Sequence, residues 1–88
     1  MYSCEVEVKN SKGLHARPAT YFIQEANKYK SSIWVVVGDK QVNAKSLLGL
    51  LALAVVQGTV ITIKADGIDE TEAVEGLRSL VESGLESD

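Results

Sequence analysis

The chain contains one cysteine, one histidine, one proline, one tryptophan and one phenylalanine. A lone Cys4 in an alternating strand pattern leaves no disulfide framework and no cysteine-based metal site within the chain, so a reducing compartment is the default. Basic residues are outnumbered: 9 Lys and Arg against 12 Asp and Glu give a net charge of −3. No basic face is therefore expected to neutralise a nucleic-acid backbone. Long apolar runs are missing too. The longest nearly apolar stretch, Leu47 to Val56, has 10 residues, against the roughly 20 that a membrane-spanning helix requires. There is no charged-then-apolar leader, no Gly-rich nucleotide loop and no metal-ligand cluster. A soluble cytoplasmic protein without cofactor or metal is expected.

What remains is an ordinary globular balance, 45% apolar and 24% charged over 88 residues. It suits one domain, 1–88, burying roughly 60–65% of its unfolded surface. Tyr2, Cys4, Val6 and Val8 alternate with polar residues and predict a half-buried strand. Apolar positions Ala19, Phe22, Ile23 and Ala26 recur at helical spacing, predicting an amphipathic helix from Ala16 to about Lys28. The β-branched run Ile33 to Val37 predicts a strand with Trp34 and Val36 outward, and Gly38-Asp39 turns it into a short partner, Lys40 to Asn43. Ser46 is a suitable N-cap for a helix of about Leu47 to Ala52. Five leucines lie between Leu47 and Leu53, too many for one stripe, so some are expected to stay exposed. Thr59 to Ala65 predicts the last strand. Asp69 with Glu72 predicts a capping box for a final helix that ends near Gly84 and turns Ala73, Val74, Leu77, Leu80 and Val81 inward. Gly76 within that helix costs about 1 kcal/mol relative to Ala. The order βαββαβα defines an α/β (α+β) two-layer open-faced sandwich, with three helices covering one face of a four-stranded antiparallel sheet.

The rare residues converge. Lys12 to Ala19, Lys-Gly-Leu-His-Ala-Arg-Pro-Ala, holds the only histidine and the only proline, and ends where the helical pattern begins. Gly13 permits close backbone approach. Pro18 in the first turn loses nothing by lacking an N–H. His15 then lies at or next to an N-cap, where free N–H groups and the positive dipole end favour an anion beside a neutral, nucleophilic imidazole. Arg17 supplies a planar fork for phosphate oxygens.

Gly13-Leu14-His15-Ala16-Arg17-Pro18-Ala19 resembles the active-site signature of HPr, the histidine-containing phosphocarrier family of the bacterial phosphoenolpyruvate-dependent sugar phosphotransferase system. Val42-Asn43-Ala44-Lys45-Ser46-Leu47-Leu48-Gly49 resembles that family's regulatory-serine segment, and length, spacing and element order agree over essentially all 88 residues. The resemblance implies sheet order 1-4-2-3. It also implies that Nδ1 of His15 accepts a phosphoryl group from phosphorylated enzyme I and passes it to sugar-specific IIA proteins, with Arg17 stabilising the phosphate. Such a protein is a stoichiometric intermediate and not an enzyme.

Thr20, Leu47, Leu48 and Leu51 are the candidate docking residues. Ser46 is the candidate for phosphorylation by an ATP-dependent serine kinase, and the phosphoserine form implies a transcriptional regulator of catabolite repression as a further partner. An HPr-like regulator acting mainly through phospho-Ser46 is the alternative reading; a small phosphatase-like or acyl-phosphate-hydrolysing enzyme is a third. A monomer is expected, with Trp34, Val36 and Val60 forming a small outer-face patch capable of weak self-association. The sequence departs from common family versions at Lys12, where Thr or Ser is frequent, and at Leu47 and Leu51, where Ile and Met are common. Gln24 and Asn27 stand where basic residues often help docking.

Overall fold

The strands form where side chains alternate and the helices where apolar residues recur at three and four. The computed structural model describes residues 1–85 and runs β1 (Tyr2–Glu7), α1 (Arg17–Ala26), β2 (Ser32–Val37), β3 (Lys40–Asn43), α2 (Leu47–Ala52), β4 (Val60–Asp66) and α3 (Glu70–Glu82). The four strands pair antiparallel in the order β1-β4-β2-β3. Register places Cys4, Ile63, Val35 and Val42 in one row across the sheet, on the face that meets the helices. The neighbouring row, Ser3, Lys64, Trp34 and Asn43, belongs to the opposite face.

The core between the layers combines Val6, Ile33, Val35, Ile61, Ile63 and Ala65 of the sheet with Phe22, Leu50, Val74 and Leu77 of the helices. Each large side chain so buried contributes about 1.5–3 kcal/mol. Val8, one residue past β1, continues the inward alternation; its N–H donates to the Thr59 carbonyl at 2.8 Å.

Several boundaries move. The first helix ends at Ala26, with Asn27 as its C-cap, because the N–H groups of Lys28 and Tyr29 reach back only three residues, to Glu25 and Ala26. The last strand is displaced by one residue, to Val60–Asp66, whereas α3 (Glu70–Glu82) ends as expected at Gly84, which follows the C-cap Ser83 with φ 94 and donates its N–H to the Val81 carbonyl at 3.1 Å. The capping box does not form. Asp69 is the N-cap of α3, yet its carboxylate turns away and accepts from the N–H groups of Lys30 and Ser31, both at 2.9 Å, and from the Ser31 hydroxyl at 2.5 Å. These bonds hold its carboxyl below the usual carboxylate range, the Ser31 hydroxyl foremost. Distant donors outcompete the local N–H, so the clamp joins the chain after α1 to the start of α3.

Gly76 is also explained by packing. A Cβ there would lie 2.1 Å from the Tyr29 hydroxyl oxygen, which donates to Glu25 at 2.7 Å. Burial, followed by that carboxylate, pushes Tyr29 up to about 12. The glycine lets α1 and α3 approach with a tyrosine between them.

On the outer face, Trp34 and Val36 are half-buried and Val60 is 53% exposed. Trp34 pairs with Lys64 and Val36 with Thr62, so Val60 sits diagonally from Val36 and four residues along β4 from the Trp34 partner Lys64. Lys64 Nζ donates to Gln41 Oε1 at 3.2 Å, carrying its aliphatic stem across β2 between Trp34 and Val36. The apolar patch is therefore divided by a lysine. No helix among the described residues is long and apolar enough to cross a membrane.

Candidate functional site

His15 emerges from a loop clamped against the segment that follows α2. The Leu14 N–H donates to the Val55 carbonyl at 3.1 Å, and Leu14 is fully buried. Gly13 has φ +59, and a Cβ there would stand 2.2 Å from the same carbonyl and 2.8 Å from Val56 Cα. Only glycine satisfies both the backbone angle and the approach.

Ala16 is the N-cap of α1, with φ 53 and ψ −127 and no capping side chain. Those angles lie outside the regions open to residues that carry a Cβ, so the joint between His15 and the helix is strained. The strain is held from both sides. The Ala16 carbonyl accepts from the Thr20 N–H at 3.3 Å, while Leu14 is fixed on Val55. Arg17 and Pro18 then occupy the first turn, where the missing proline N–H leaves no helical bond unmade.

The residue before the N-cap is thus His15, as expected. Its ring is half-buried, and Nδ1 is shielded from solvent without a hydrogen-bond partner. Arg17 is exposed, and among the described residues its guanidinium has no ion pair. Thr20 is exposed one turn along α1; its hydroxyl donates to the Ala16 carbonyl at 3.4 Å. Charge is distributed around the site more unevenly than the net value suggests. No Asp or Glu occurs from Val8 to Gln24 or from Lys40 to Ala65. Most carboxylates lie on β1, in the turn before α3 and on α3 itself, with Glu25 near the far end of α1 and Asp39 in the β2–β3 turn.

The leucines divide as the crowding predicted. Leu50 and Leu53 are buried, whereas Leu47, Leu48 and Leu51 are 46%, 82% and 39% exposed. Val56, 56% exposed, adds an apolar residue beside Gly13 that the sequence reading had not singled out. Its signal was present in the run ending at Val56, but the turn that exposes it depends on Ala54 at φ 55. Ser46 caps α2, its hydroxyl accepting from the Gly49 N–H at 3.1 Å. Lys45, beside it, donates through Nζ to the Tyr29 carbonyl at 2.9 Å and so ties this cap to the chain just after α1. The described residues contain no group of three or more His, Cys, Asp or Glu arranged to hold a metal ion.

An open-faced sandwich that offers an imidazole and, at the start of the same helix, a guanidinium without an ion pair among the described residues, on a stretch of chain without Asp or Glu, has the character of a surface phosphoryl-handling protein. The comparisons agree. The family model described as PTS HPr component phosphorylation site matches residues 2–83. Phosphocarrier protein HPr of Haemophilus influenzae is 52% identical over 81 residues, covering 92% of this chain and 95% of the relative. Among solved structures, HPr-C-His from Thermoanaerobacter tengcongensis superposes with a TM-score of 0.96 at 46% identity, over 100% of this chain and 99% of that one. The Bacillus subtilis catabolite-repression protein Crh, described as a dimer with a swapping domain, superposes at 0.77 with 45% identity, over 99% of this chain and 100% of that one. The chain belongs to the HPr family of phosphocarrier proteins of the phosphotransferase system.

Proposed function

We propose that His15 accepts a phosphoryl group from phosphorylated enzyme I and passes it to sugar-specific IIA proteins, the whole chain acting in the cytoplasm as one monomeric carrier domain. The observation that carries this reading is the unpartnered Nδ1 of His15 one residue before the uncapped start of α1, with Arg17 free two residues on.

In the transfer, the Nδ1 lone pair attacks phosphorus while the bond to the donor breaks and its electron pair leaves with the donor. The existing ring proton stays on Nε2. Because Nδ1 is turned away from solvent in the resting form, the ring must rotate outward before it can meet a donor in line. Arg17, which makes no ion pair among the described residues, follows the equatorial oxygens and offsets their charge as they move. Val8 to Gln24 carry no Asp, Glu or second His, so this segment offers no carboxylate or further imidazole to activate water, which suits a carrier that hands its phosphate on. Leu47, Leu48 and Leu51, with Thr20 and Val56, form the rim on which both partners dock, and the absence of carboxylates there favours acidic partner surfaces.

A second role rests on Ser46. Its hydroxyl lies at the start of the helix that carries the leucine rim, so a phosphate there would add about −1.5 to −2 charges where acidic partners approach. We read this as an off switch written by a serine kinase, with the phosphoserine form available to a catabolite-repression regulator.

The carrier reading is tested in a relay of phosphoenolpyruvate, Mg²⁺, enzyme I and a IIA protein, with this chain present at one hundredth of the IIA concentration. Complete phosphorylation of IIA that depends on the chain, and is lost in His15→Ala, is expected. Phosphorylation of IIA that His15→Ala supports equally well would refute it. Arg17→Ala should keep the fold and slow both transfers.

A further inference from the structure

The Gly13–Leu14 peptide group, one residue short of His15, is pinned at both ends. The Gly13 carbonyl accepts from Asn10 Nδ2 at 2.9 Å. The N–H of the same peptide unit, on Leu14, donates to the Val55 carbonyl at 3.1 Å. The Gly13 N–H also returns to the Asn10 carbonyl at 3.2 Å, so the turn closes on Asn10 through backbone and side chain alike. With Leu14 fully buried, the plane of this peptide fixes the direction in which the next residue leaves the loop.

Asn10 holds that position at a cost. Its Oδ1 is shielded from solvent and has no partner, and the only other such side-chain atom among the described residues is Nδ1 of His15. A carboxamide with its donor used and its acceptor buried unpaired is a poor choice for stability alone. Departures of this kind gather where function sets the residue.

We infer that Asn10 is a positioning residue for His15, its amide locking the Gly13–Leu14 peptide and with it the backbone from which the imidazole swings outward. The inference rests on the proposed phosphoryl acceptance at His15. A peptide free to rotate would spread the point from which the ring swings outward over several positions, and reacting atoms must come within about 3–3.5 Å in line for transfer.

The test compares the wild-type chain with Asn10→Ala, which removes the amide, and Asn10→Asp, which keeps its shape and loses the donor. Ile63→Val, a core truncation far from the loop, controls for stability. Phosphorylation by enzyme I and phosphoenolpyruvate is followed as a function of chain concentration, and the ring nitrogens of His15 are observed by NMR. In both Asn10 variants kcat is expected to fall about 10- to 100-fold with KM within about twofold of wild type, since the leucine rim is untouched. The His15 nitrogen resonances should shift in both, while Ile63→Val leaves kcat and resonances unchanged. Wild-type kcat and resonances in both Asn10 variants, or an equal loss in Ile63→Val, would overturn the inference. A wild-type chain that takes no phosphate would overturn the His15 reading instead, and the resonances would still decide whether Asn10 holds the ring.

Discussion

Ala16→Gly should stabilise the protein, although glycine is usually the costlier residue. Ala16 sits at φ 53 and ψ −127, where a Cβ is crowded and glycine is at ease. Strain of this type costs about 1–3 kcal/mol. Glycine gives back about 0.4–1 kcal/mol through the greater freedom of its unfolded chain. Ala16 is also the N-cap of α1 with no capping bond, a position where glycine outranks alanine. The balance is about 0.5–2 kcal/mol in favour of the variant. With a urea m-value of about 1 kcal/mol/M, the midpoint should rise by about 0.5–2 M with unchanged m. The same substitution slackens the joint between His15 and the helix, so phosphorylation of His15 should slow while the fold gains stability. A midpoint that falls at constant m would mean that surrounding contacts have made this conformation the cheap one, and the strain argument would be wrong.

Gly76→Ala should destabilise by about 1–3 kcal/mol despite better helix propensity, because the new Cβ meets the Tyr29 hydroxyl at 2.1 Å. In a Tyr29→Phe background the loss should shrink or reverse, and a thermal double-mutant cycle would show an additive pair if the contact is not the cause. Asp69→Asn should lower the urea midpoint near neutral pH. In the wild type the Asp69 carboxyl titrates below its ordinary value of 3.8, so its bonds contribute fully above that pH and are lost as pH falls through the lower folded value. The gap between variant and wild type should therefore narrow below pH 4, and a constant gap from pH 2 to 7 would contradict the clamp. Ser46→Ala should cost about 1 kcal/mol as a lost cap, whereas Ser46→Asp should retain the cap and slow phosphorylation by enzyme I. Unchanged rates in Ser46→Asp would leave the serine a cap alone.

Most of the architecture was legible because alternation and helical spacing both point to one inner face. Ile33, Val35, Ile61 and Ile63 are buried where period 2 put them, and Ser46 caps where its position before an apolar run suggested. The errors share a physical origin in contacts made across the fold. Asp69 and Glu72 have capping-box spacing, but Lys30 and Ser31 offer donors that only the folded chain brings near. Gly76 reads as a helix defect until the Tyr29 hydroxyl is seen above it.

At the site, His15, Arg17 and the exposed leucines could be picked out from residue types and crowding. The geometry that makes the loop work could not. The close approach at Gly13 was legible from its residue type, but its neighbour Val55, the strain at Ala16, the Asn10 bond to the Gly13 carbonyl and the exposure of Val56 all depend on how residues 10–16 fold against the turn after α2. Sheet order came from the family resemblance, since alternation alone does not say which strands are neighbours.

The most direct test of the account is the intact mass of the protein after incubation with phosphoenolpyruvate, Mg²⁺ and a bacterial enzyme I, beside the His15→Ala variant. The account predicts one added phosphate, labile in acid, on the wild type and none on the variant. A wild-type mass that stays unchanged with an active enzyme I, or a phosphate that His15→Ala also acquires, would contradict it.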